Sequence, residues 1–112
     1  MILPNVERAV VEREKIADYL LSPAHPDNGG KAAFFLALGY MRDDWPSLAA
    51  ALRRLAVATE VVKSMETAHG IKYVVDGGME TPGGQTPVVR TIWIVDRGLD
   101  RPRLVTAYPR EE

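Results

Sequence analysis

The chain has 112 residues, 46% of them apolar and 26% charged, with a formal net charge of -1 and no cysteine. That balance is the one of a single soluble globular domain over 1–112, large enough for one core, and it excludes disordered and fibrous classes. The lack of cysteine excludes a disulfide framework, thiol catalysis and Cys-based zinc or iron–sulfur sites, and two histidines argue against a His-rich metal site.

No cofactor is therefore expected. Near-neutral charge argues against a large electrostatic footprint for nucleic acid, although a local basic surface fits on a neutral whole. No apolar run approaches the roughly 20 residues of a membrane span, and the start MILPNVERAVVERE lacks the long apolar region of a signal peptide. The expectation is a cytoplasmic protein with no membrane partner.

Helical signals dominate before about residue 57 and β-branched, alternating signals after it, which predicts an α+β fold. The N-terminal segment, with Pro4 and the run Val10-Val11, reads as extended, a short edge strand. A helix follows over Arg13 to Leu21, with Ile16, Tyr19 and Leu20 on one stripe, ended by Ser22-Pro23. After the loop Pro23 to Gly30, Lys31 to Leu38 reads as a mostly buried helix closed by Gly39. Asp44, ahead of Trp45-Pro46, is placed to cap a third helix that carries Leu48, Leu52 and Leu55 to the core.

The third helix could run on through Ala56 to His69. Thr59, Val61, Val62 and Thr67 suit a strand better, so the break is set near Ala58. The remainder reads as an antiparallel meander of three to four strands: about Glu60 to Glu66, Ile71 to Met79, Pro87 to Val95 and Arg103 to Tyr108. Ala68-His69-Gly70, Thr81-Pro82-Gly83-Gly84 and Arg97-Gly98-Leu99-Asp100 supply the turns. In the third strand Val89, Thr91, Trp93 and Val95 share one face, with Val88, Arg90, Ile92 and Ile94 on the other. Both are apolar enough to predict a strand under helices, with Arg90 exposed on a half-covered second face.

The glycine pairs beginning at Gly29, Gly77 and Gly83 match neither a dinucleotide fingerprint nor a phosphate loop. The most chemically unusual stretch is LLSPAHPDNGGKAAFFLALGY, Leu20 to Tyr40, which brings His25 close to Lys31. The segments LLSPAHP, GGKAAFFLALGY, DDW, IKYVVDGG, TPGG, RTIWIVD and PRLVTAYP, in that order, resemble an uncharacterised family of small bacterial and archaeal domains. Its pattern is LLxPxHP…KAxFFxxLGF…W…KYxVxG…VWI…PRLVTAYP, and the likeness covers nearly the whole chain. A fainter similarity links this layout to the barnase, EndoU, colicin and RelE-like group of metal-independent RNases, common as toxin domains.

That second resemblance implies RNA cleavage by the RNA's own 2′-hydroxyl, which needs an acid/base pair and cations against the phosphorane charge. His25 would be the acid/base group, Lys31 and Arg90 would stabilise phosphate charge, and Thr106 and Tyr108 would position the scissile phosphate. Each residue also has a plain structural reading. His25 can bond backbone in its loop, Lys31 can be solvated or salt-bridged, and Arg90 can pair with a carboxylate across the sheet. Thr106 and Tyr108 fit any strand that ends at proline, while Tyr19, Phe34, Phe35, Trp45 and Trp93 read as core.

Two functions from different classes therefore stay open. One is a toxin-type RNase with RNA as its partner. The other is a non-catalytic interaction or accessory domain of a bacterial gene cassette. It would pair with a cognate protein, or with itself as a homodimer, through the meander edge or the Trp45 region.

Overall fold

The β-branched second half of the chain pairs into one sheet, and the helical first half covers one of its faces. In the computed structural model, which describes residues 1–25 and 30–110, the sheet has four antiparallel strands in the order β1-β2-β3-β4. They are β1 (Val61–Thr67), β2 (Gly70–Gly78), β3 (Val88–Asp96) and β4 (Pro102–Pro109). Each lies close to its predicted position. Ahead of them in the chain run α1 (Arg13–Lys15), α2 (Lys31–Ala37) and α3 (Trp45–Ala58). No described helix is long and apolar enough to cross a membrane.

The alternation along β3 decides what lies where. Val89, Thr91 and Trp93 are fully buried against the helices, beside Val75 of β2 and Leu104 and Ala107 of β4. Leu48, Leu52 and Leu55 of α3 and Phe35 of α2 complete that core. The polar group buried there is satisfied. Trp93 Nε1–H donates to Thr91 Oγ1 at 2.8 Å, and the Thr91 hydroxyl donates to the Val75 carbonyl at 2.8 Å. The opposite face carries the register-paired Asp76 and Arg90, then Tyr108 beside Arg90 and Thr106 beside Ile92. It is the face with chemistry on it.

α3 ends at Ala58, where the β-branched sequence begins. Three expectations are corrected. The N-terminal segment is not an edge strand: Val6–Arg8 forms a 3-10 turn, and only Val10 makes an isolated parallel bridge, to Arg103. Pro4 and the left-handed Asn5 (φ 52°) bend the chain before a strand can extend. Asp44 makes no side-chain cap on α3, because Arg42–Asp44 winds into a 3-10 turn that leads straight into the helix. The first helix is α-helical only over Arg13–Lys15 and continues as a π-helical turn, Ile16–Leu20, in which Leu21 N–H reaches the Ile16 carbonyl at 2.8 Å. The wider turn swings Tyr19 off the buried stripe formed by Ile16, Ala17 and Leu20.

Gly39 has the positive φ (101°) expected of a helix stop, and a Cβ there would lie 3.0 Å from Pro82 Cβ. The Gly83 amide donates to the Leu38 carbonyl at 3.0 Å, so the end of α2 is tied to the β2–β3 turn. Of the loop Pro23 to Gly30, residues 26–29, and with them Gly29 of the Gly-Gly turn, lie outside the described residues.

Candidate functional site

Lysine is a poor residue for the first turn of a helix, where the dipole repels positive charge. Lys31 stands there because its side chain leaves α2 for the sheet. Its Nζ donates to Tyr19 Oη at 2.6 Å and to Thr106 Oγ1 at 3.0 Å, and those two hydroxyls are themselves 3.4 Å apart. The ammonium also lies 5.1 Å from the centre of the Tyr19 ring and 5.6 Å from that of Tyr108. One cation thus joins the N-terminal helical segment, α2 and β4.

Tyr19 was expected in the core and is instead half-buried with its hydroxyl in this cluster. Partial burial pushes its phenol up. The hydrogen bonds with Lys31 and Thr106 and the charges of Lys31 and Lys15 outweigh that and leave it below the ordinary tyrosine range. No local signal in the sequence marks it, because the α-helical register that puts Tyr19 on the apolar stripe is broken by the π-helical turn, which pattern reading does not detect.

Beside the cluster opens a cleft of about 630 Å³ lined by Gly30, Lys31, Phe34, Arg90, Tyr108 and Arg110, with Pro109. Two of its cations are braced from behind. Asp76 accepts from Arg90 Nε and Nη2 at 2.8 and 2.9 Å and forms an ion pair with Arg110, whose Nε lies 2.9 Å from Oδ2, and its side chain is only 9% exposed. Arg90 is therefore paired with a carboxylate across the sheet and is 31% exposed. Tyr108 is its register partner on β4. The Asp76 bonds hold the Arg90 guanidinium above its already high range, and the hydrogen bond from Arg90 holds Asp76 well below the usual carboxylate range.

That last shift has a consequence for stability. A depressed carboxylate contributes fully above its unfolded value, near pH ~4, and the contribution is lost as pH falls through the lower folded value. Asp76→Asn is expected to cost about 2 kcal/mol at pH 7. Urea denaturation between pH 2 and 7 should show the gap to wild type closing in acid; parallel curves would contradict the assignment.

Lys31, Arg90, Thr106 and Tyr108 thus lie near one another. His25 approaches through Tyr19: the two rings meet edge-on, centroids 4.9 Å apart at 81°. Among the described residues it lines an adjoining depression with Glu12, Glu14, Lys15, Asp18, Tyr19 and Arg103.

A family model described as a domain of unknown function, DUF6883, matches residues 2–111. The structure is similar to a chain of the contact-dependent growth inhibition toxin–immunity protein complex from Klebsiella pneumoniae 342. The TM-score is 0.74 at 20% identity, over 90% of this chain and 99% of that one, and at such identity the likeness is one of fold. No curated protein matches the sequence.

Proposed function

The chain belongs to the DUF6883 family, and for it we propose metal-independent cleavage of RNA in the Lys31 cleft, by a nuclease of toxin type. The observation that carries the reading is the Lys31 ammonium at 2.6 Å from the Tyr19 phenol and 3.0 Å from Thr106, open to a cleft that also presents Arg90 and Arg110. The shared fold with a chain of a toxin–immunity protein complex supports a place in a toxin system, as toxin or as immunity protein, and a cognate protein partner. The net charge of -1 is no obstacle, because three cations, Lys31, Arg90 and Arg110, line the one cleft.

The chemistry needs no added reagent. The RNA 2′-oxygen attacks the adjacent phosphorus as His25 takes its proton; the bond to the 5′-oxygen then breaks, leaving a 2′,3′-cyclic phosphate and a 5′-hydroxyl. Tyr19, made more acidic by Lys31, supplies the proton to the departing 5′-oxygen. Lys31 and Arg90 oppose the charge that grows on the phosphorane oxygens, and Thr106 and Tyr108 orient the phosphate.

The test is incubation of the purified chain in EDTA with RNA, with DNA of the same sequence and with fully 2′-O-methylated RNA. Only the first should be cut, and mass spectrometry should find cyclic phosphate ends. Intact RNA, or cleavage of the DNA, would remove the mechanism.

The interaction-domain reading rests on β1, an edge strand whose central residues, Val62 and Met65 among them, are exposed on both faces. An RNA-inactive chain that dimerises through β1 would favour it.

A further inference from the structure

The cleft holds two groups that the cleavage chemistry does not use, Phe34 and Arg110. Phe34 stands one turn after Lys31 on α2, so both side chains face the same space, and its ring is half-buried and braced edge-on by Phe35 at 4.9 Å. Arg110 follows β4 on the far side of Tyr108 from Thr106. Its Nε is anchored on Asp76 at 2.9 Å while the side chain stays 44% exposed. Tyr108 therefore separates two cationic centres: Lys31, 5.6 Å over its ring, and the Arg90–Arg110 pair held by one carboxylate. Two guanidiniums on a single carboxylate keep a net positive charge and unused N–H donors, which suits an anionic oxygen donated by a ligand.

Resting on the nuclease reading, we propose that this cleft takes an unpaired RNA strand and engages two consecutive phosphates. The scissile phosphate lies at Lys31, Thr106 and Arg90, the next at Arg110, and a base stacks on Phe34. An aromatic face beside tracked phosphates is the arrangement that binds single strands without reading sequence. A base-paired helix cannot use it, because both faces of its bases are already stacked.

The probe is a 2′-O-methyl oligonucleotide, which cannot be cut, as a single strand and as a duplex of the same sequence, followed by fluorescence anisotropy across a salt series. The single strand should bind at least 10-fold more tightly than the duplex. Phe34→Leu should weaken it about 10-fold, and Phe34→Trp, which keeps an aromatic face, should restore it. Arg110→Gln should lower the slope of log affinity against log salt by about 0.7. Equal binding of duplex and single strand, or unchanged binding by Phe34→Leu, overturns the inference. Because the probe is not cleavable, a chain that binds it as expected yet leaves RNA intact overturns the nuclease reading alone. One that cuts RNA but fails these arms overturns only the single-strand inference.

Discussion

Lys31→Ala is expected to lower the rate of RNA cleavage by about 10²–10³-fold, the range for removing one preorganised donor to a developing oxyanion. The loss has two parts: a cation at the phosphate disappears, and Tyr19 loses the partner that holds its phenol low. The second part can be read without any substrate. Ultraviolet titration should show the Tyr19 phenol moving upward in Lys31→Ala, identified by its absence in Tyr19→Phe. Lys31→Arg should recover little, since a bulky planar guanidinium does not reproduce one compact nitrogen shared between Tyr19 and Thr106. Cleavage by Lys31→Ala within a few-fold of wild type would show that the cluster is architecture and not catalysis. Folding should survive, because the bonds lost are part-buried and worth about 1 kcal/mol each.

The largest effect on stability is expected from Trp93→Ala. Trp93 is fully buried at the middle of β3, and truncating such a side chain costs about 3–5 kcal/mol. That is a large share of the roughly 5–15 kcal/mol available to a domain. Thr91→Val separates packing from hydrogen bonding at the same place. It keeps the volume but strands the indole N–H in the core, which should cost about 1–3 kcal/mol. Both are read from the urea midpoint at constant m-value. A Thr91→Val chain as stable as wild type would mean that the buried indole finds another acceptor.

The fold was largely legible in sequence because its second half follows the strongest local rules. The β-branched alternation of Val88 to Asp96, and glycine at each turn, put the four strands near their observed limits. The N-terminal third was less legible. Between Pro4 and Leu21 the chain uses a left-handed Asn5, a 3-10 turn and a π-helical turn, none of which has a periodic signature. Tyr19 was missed for that reason, its spacing having matched an α-helical stripe that the wider turn breaks. For Arg90 the simple expectation, a carboxylate across the sheet, was sound, and Asp76 was also found to hold Arg110, whose own place in the cleft was not foreseen.

By itself the sequence determined the α+β class, the meander and its turns, and the residue types from which a site could be made, since these follow from near-neighbour patterning and backbone preference. Only the tertiary structure decided that Lys31 meets Thr106, 75 positions away, and that Tyr19 rather than His25 is its direct partner. Such encounters depend on how helices seat on a twisted sheet, and packing of that kind is set by the sum of many contacts that no local spacing records.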